Sequence, residues 1–240
     1  MKIRHLVHSC LLVEVAGRRL LIDPGGFSGD AVRGLGREVL AGIDAVLVTH
    51  QHPDHVDRAL LDEVLGLATG AEVLAEPETA DQLAEAAAGA PPVDPDRLRA
   101  FAVGDAHELP AQDGAAPLLI RAAGGRHAVI HPDLPQVGNT ALLLQVGDGP
   151  RLGITGDSLE VLEEFVGIDV LAFAVVAPWS KMAETIDFLR AVRPRLALPV
   201  HDGVASPGGR AIYLRQATNL APEGTEVRDW PADGVVEIPG

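Results

Sequence analysis

A chain of 240 residues, 47% hydrophobic and 22% charged, is long enough to bury a sizeable core. Its formal net charge of -15 sets up a field that repels phosphate backbones and anionic membrane surfaces, so neither nucleic acid nor membrane is expected as a partner. The one cysteine, Cys10, cannot close an internal disulfide and reads as a small buried residue; the apolar run 170–177 is too short to cross a bilayer, and His5, His8 and Glu14 interrupt the N-terminus where a signal peptide would be apolar. These features together predict a cytoplasmic protein.

Residues 2–7, 11–15 and 18–22 read as three strands, the last two joined by a tight turn at Ala16-Gly17. A short helix is expected over 31–40. The β-branched run that ends at Val48 reads as a buried strand. Helix 57–67 follows, with an apolar stripe of Leu60, Leu61, Val64, Leu65 and Leu67. Strand 72–75 and helix 78–88 continue the alternation; Thr79 or the acidic start caps that helix and Gly89-Ala90-Pro91-Pro92 stops it. Strands dominate 97–155, with hairpin signals at Gly104-Asp105, Asp113-Gly114 and 147–150. Strand 170–177, helix 182–192, strand 196–200, helix 210–217 and strand 235–238 complete the chain. Strand-rich pieces flanked by helices predict two sheets packed face to face with helices outside.

Chemistry concentrates where the strand ending at Thr49 turns into His50-Gln51-His52-Pro53-Asp54-His55. Imidazole nitrogens and carboxylate oxygens are the donors that zinc and similar divalent ions take, and a loop just past a strand end holds them firmly. His50 and His52 can point the same way from extended backbone, and Pro53 bends the chain so that Asp54 and His55 aim at a second point nearby. The local pattern therefore reads as two adjacent metals. The plainer alternative is a polar loop whose histidines cap the following helix.

The motif His50-x-His52-x-Asp54-His55 resembles the H-x-H-x-D-H signature of the metallo-β-lactamase-fold hydrolases. The opening, with His8-Ser9-Cys10 and a hairpin ending in Ile22-Asp23-Pro24, is similar to the branch that includes the L-ascorbate-6-phosphate lactonases. The resemblance covers essentially the whole chain and implies one αββα four-layer sandwich domain over residues 1–240. It implies that Asp157, in Ile154-Thr155-Gly156-Asp157, bridges both metals, and that His201, in Leu198-Pro199-Val200-His201, is the last histidine ligand. Family order expects one more histidine between the motif and Asp157. Of His107, His127 and His131 we choose His127, with His131 as runner-up or pocket residue and His107 as a solvated loop residue.

The expected assembly is then His50, His52 and His127 on one ion, Asp54, His55 and His201 on the other, and Asp157 shared. A water bridging two such cations is acidified toward a hydroxide nucleophile, and Asp54 can carry a proton. The resulting reading is a binuclear metal-dependent hydrolase of a small molecule, an ester or lactone, an amide or a phosphoester. Zinc is the first choice of ion, and manganese and iron suit the same donors. The competing readings are a mononuclear iron dioxygenase of the same fold and a non-catalytic metal-binding protein; di-iron relatives carry a glutamate where this chain has His52. Four further residues are assigned to the pocket or its surroundings. His8 is taken first as a hydrogen-bonded structural histidine; Trp179 and Lys181 read either as a pocket wall and its anion contact or as ordinary packing and a solvated helix start; and Asp202 either orients His201 or caps its turn. Gly25-Gly26 reads either as letting backbone pass close to the site or as an ordinary turn, and 206–209 reads as a mobile rim loop. A homo-oligomer is compatible with all of this.

Overall fold

The computed structural model describes residues 1–86, 91–112, 114 and 116–239. Two seven-stranded sheets face each other, with helices on both outer sides. The first runs β14-β1-β2-β3-β4-β5-β6, built from β1 (Lys2–Val7), β2 (Cys10–Val15), β3 (Arg18–Ile22), β4 (Ala45–Val48), β5 (Glu72–Ala75), β6 (Leu98–Ala100) and β14 (Val235–Glu237). The second runs β13-β12-β11-β10-β9-β8-β7, from β7 (Ala106–Leu109), β8 (Leu118–Ala123), β9 (Ala141–Val146), β10 (Leu152–Ile154), β11 (Val170–Ala174), β12 (Leu196–Val200) and β13 (Glu226–Val227). Counted from the β14 edge in one sheet and the β7 edge in the other, each sheet is antiparallel through its first four strands and parallel through the rest, β14 coming from the far end of the chain. The two halves therefore repeat one topology, at a length no short-period sequence repeat would show.

Strand alternation builds the layers. Leu20 and Ile22 of β3, Ala45 and Leu47 of β4, and Leu196, Leu198 and Val200 of β12 point into the core between the sheets. Their neighbours Leu21, Val46 and Val48 face outward and pack under α3 (Arg58–Leu67), whose Leu60, Leu61, Val64 and Leu65 are buried, and α4 (Pro77–Ala84). On the far side Leu171, Phe173 and Ala197 meet Phe188, Leu189 and Val192 of α5 (Met182–Val192) and Ala217 of α6 (Pro207–Leu220). Strands buried on both faces must be apolar throughout, and β4, β11 and β12 are.

Several expected elements differ. The helix over 31–40 is two short ones, α1 (Gly29–Gly34) and α2 (Arg37–Ala41), because Gly36 adopts φ +85°, a conformation no helix continues through. The helix over 78–88 begins at Pro77 and ends at Ala84; the cap is Glu76, whose carboxylate accepts from the backbone N–H of Glu78 and Thr79, while Thr79 adds its hydroxyl as a donor to the same group. Its expected stop at Gly89-Ala90 lies outside the described residues, as does Asp113 of a predicted turn. Gly104-Asp105 makes no hairpin, since it carries the chain from β6 in one sheet to β7 in the other. The strand over 170–177 ends at Ala174, and the helix over 210–217 extends to Pro207–Leu220. The expected rim loop 206–209 is that helix's start: Ser206 accepts from Gly209 N–H and Pro207 takes the first turn. No helix among the described residues is long and apolar enough to cross a membrane.

Candidate metal centre

The ends of strands from both sheets meet at one rim of the sandwich. His8 follows β1, residues 50–55 follow β4, His127 follows β8, Asp157 follows β10 and His201 follows β12. A backbone bond of 2.9 Å from His201 N–H to His8 C=O stitches the two sheets together there. Both residues adopt a left-handed φ of 61°, uncommon for a residue with a Cβ and concentrated at functional sites. The 50–55 loop packs against Gly25, where a Cβ would lie 1.8 Å from the Asp54 carbonyl oxygen, so the glycine read as permitting close approach does so.

Two clusters result, one of His50, His52, His127 and Asp157, the other of His8, Asp54, His55 and His201; within each, one potential ligand atom per residue lies within 4.8 Å of all the others. Asp157 reaches both, with Oδ1 3.0 Å from His55 Nε2 and Oδ2 3.1 Å from His201 Nε2 and 3.2 Å from His127 Nε2. His131 stays outside: it is exposed, with Nδ1 accepting from Asp133 N–H. His107 is not in a solvated loop but on β7, mostly buried beside Glu72.

Neighbours decide each ring's tautomer. His55 donates from Nδ1 to Asp23 Oδ2 at 2.8 Å, His127 to the Ala128 carbonyl at 2.6 Å and His201 to the Val176 carbonyl at 2.8 Å. The His50 Nδ1 lies 3.1 Å from the Thr49 hydroxyl, whose own proton goes to Asp23. All four rings consequently present an Nε2 lone pair to the centre. His8 is the opposite case, because Gly203 N–H donates to its Nδ1 at 3.0 Å. The neutral ring's proton is therefore on Nε2 and goes to Asp54 Oδ2 at 3.1 Å. Geometry thus brings His8 to the second cluster as a hydrogen-bonded histidine, a donor to Asp54.

Among the described residues, His50 Nε2, His55 Nε2, His127 Nε2 and Asp157 Oδ1 are buried and have no hydrogen-bond partner. Four such atoms would each cost about 1–3 kcal/mol unsatisfied, and they converge. A divalent cation with nitrogen and oxygen ligands satisfies them together, so the residues fit the ions. Electrostatics agrees. Burial alone would raise the Asp157 carboxyl, but the surrounding imidazoles hold it well below the usual carboxylate range. Asp54 behaves likewise, drawn down to about 2 against its burial by the His8 hydrogen bond and by His55. Burial pushes His50 well below its ordinary value, whereas for His55 and His201 burial is outweighed, chiefly by Asp157, and both rise.

Three supporting residues escaped the sequence. Asp23, fully buried, also accepts from Thr49 N–H and so fixes both the loop and His55; its place in Ile22-Asp23-Pro24 was visible but its role was not. Asn139 accepts from Asp157 N–H and donates to the Thr155 carbonyl, a buried amide whose only trace was a polar residue ahead of a strand. Gly203, whose N–H sets the His8 tautomer, has no signal in the sequence beyond its place after His201-Asp202. Asp202 does not orient His201, which is held by Val176; it accepts from Arg210 Nε at 2.6 Å and fastens α6. Trp179 lines a cavity of about 730 Å³ beside His127 and donates its indole N–H to Asp157 Oδ2 at 2.9 Å. Lys181 is exposed at the start of α5 and paired with Glu184, which lines that cavity.

A four-layer sandwich carrying histidine and aspartate clusters at one rim is the metallo-β-lactamase fold. The beta-lactamase superfamily domain matches residues 2–201, and the chain belongs to that family. Protein Rv0786c of Mycobacterium tuberculosis is 44% identical over 92% of both chains. A UPF0173 metal-dependent hydrolase of Thermofilum pendens is 28% identical over 83% of this chain and 82% of its own. The crystal structure of the metallo-beta-lactamase fold protein YhfI from Bacillus subtilis superposes with a TM-score of 0.68 at 17% identity, covering 98% of each chain.

Proposed function

We propose that this chain is a metal-dependent hydrolase of a small molecule, working as one domain with two divalent ions, zinc first among them. The observation that carries the reading is four buried, unpartnered atoms, His50 Nε2, His55 Nε2, His127 Nε2 and Asp157 Oδ1, gathered in two clusters that Asp157 reaches together. The name of the Thermofilum pendens relative agrees with it. His50, His52 and His127 would hold one ion, Asp54, His55 and His201 the other, with Asp157 between them. Bound there, the ions would acidify a water and polarise the scissile group.

The protein's own part is arrangement. Asp23 and the Ala128 and Val176 carbonyls keep lone pairs inward, Trp179 holds one oxygen of Asp157, and the His8 N–H engages one oxygen of Asp54, leaving the other for an ion or a proton in transit. Metal content of wild type, His52→Ala and Asp157→Ala tests the assignment. Two zinc or manganese ions per chain, reduced in both variants, are expected. A single iron would replace this reading with the oxygenase one, and a wild type that takes up no metal would end it.

A further inference from the structure

The cavity beside His127 has walls from three parts of the chain: 126–129 after β8, 158–161 after β10, and the run from Trp179 into α5. Its lining mixes polar and apolar groups, and the apolar ones, Val129 and Val161 about half exposed, Leu159, Phe188 and Trp179, make up a shared wall. Exposed valines on a protein rim are ordinary singly, but here they share one concavity with a tryptophan that touches Asp157. The charged lining is acidic on balance. Glu184 is matched by Lys181, which leaves Glu160 and Asp187 against Arg126, the one cation of the lining, whose Nη1 is held by the Gln136 carbonyl. A phosphate needs several converging donors of positive charge or backbone N–H, and this lining offers one guanidinium.

We infer that this cavity is the pocket for the acyl part of the substrate, and that it takes a carboxylic ester or amide, lactones included, with an apolar body that is neutral or cationic, rejecting phosphate-bearing ones. The inference rests on the hydrolase reading above and deepens it. In the reaction the oxygen of water bonds to the acyl carbon and the carbon–oxygen or carbon–nitrogen bond to the leaving group breaks. The bond's electron pair and the proton lost by water go to that group, so no oxidant or reductant enters.

The test uses the full chain with its metal content measured, and 4-nitrophenyl esters that differ only in the acyl chain: acetyl, hexanoyl, 6-aminohexanoyl and 6-phosphohexanoyl. Expected are a kcat/KM about tenfold higher for hexanoyl than for acetyl and a phosphorylated chain at least about tenfold worse than the amino one. The second ratio should shrink or invert in the Glu160→Lys/Asp187→Lys variant, which reverses the charge of two acids of the lining. Preference for the phosphorylated chain, or a ranking the variant leaves unchanged, overturns the inference. So does metal-loaded protein that turns over none of the esters, while leaving the metal assignment standing. Absence of metal from the same sample defeats the hydrolase reading and this inference with it.

Discussion

Histidine tautomers at this rim follow from the atom each ring meets on its far side. Acceptors behind His55, His127 and His201 turn lone pairs inward; a donor behind His8 turns a proton inward. His8→Gln keeps an N–H near the position of Nε2 and is expected to retain both ions. His8→Ala should weaken the second ion about 10–100-fold, and His201→Ala should abolish its binding, all read by calorimetric titration and elemental analysis. If both His8 variants matched His201→Ala, His8 would be a ligand. Cys10 allows a separate test. Burial pushes its thiol up from 9.0 to about 12, so the folded chain keeps a proton that the unfolded chain loses above about pH 9. The folded state binds more protons in that window, and stability falls as pH rises through it, by about 1.4 kcal/mol per pH unit. The stability difference between metal-free wild type and Cys10→Ala in urea unfolding should therefore shift against wild type by about that amount between pH 8 and pH 10, on top of the constant packing cost of the substitution.

At the scale of elements, periodicity was a good guide wherever a stripe or an alternation was long. Helix 182–192 and strands 2–7, 18–22, 72–75 and 196–200 stand where the pattern puts them. Failures occurred where one residue's backbone angle decides. Gly36, at φ +85° and ψ 157°, divides a run of good helix formers, and apolar spacing carries no record of it. Gly36→Ala is expected to cost roughly 1–3 kcal/mol, seen as a lower urea midpoint with unchanged slope; an unchanged midpoint would show that the bend has another cause. The α6 start failed for a related reason, because Ser-Pro-Gly-Gly reads as loop until the Ser206 cap is seen.

For the whole molecule, the two sheets meet at the metal rim through the His201–His8 backbone bond, the Thr140 N–H to Thr49 carbonyl bond and the Asp157 contacts. Ions there would join halves that are far apart in sequence. Removing them with chelator is expected to lower the melting temperature, and zinc should restore it; at an ion concentration about a hundredfold above Kd the linkage is worth roughly 2.7 kcal/mol. Calorimetric scans that superpose with and without chelator would show that the clusters hold no ion that matters to folding.

The sequence by itself determined the class of fold and most of the converging side chains. An apolar strand that ends in His50-x-His52-x-Asp54-His55 needs only local geometry to aim its ligands, and alternation along buried strands declares which faces are covered. Only the tertiary structure shows His127 buried beside Asp157, His131 exposed and His107 on β7, since the three histidines look alike in the sequence. It alone gave His8 its proton, Asp23 and Asn139 their work, and Asp202 its place with Arg210. Those roles depend on hydrogen-bond partners many residues away, and a linear pattern holds no information about which donor will stand behind which ring.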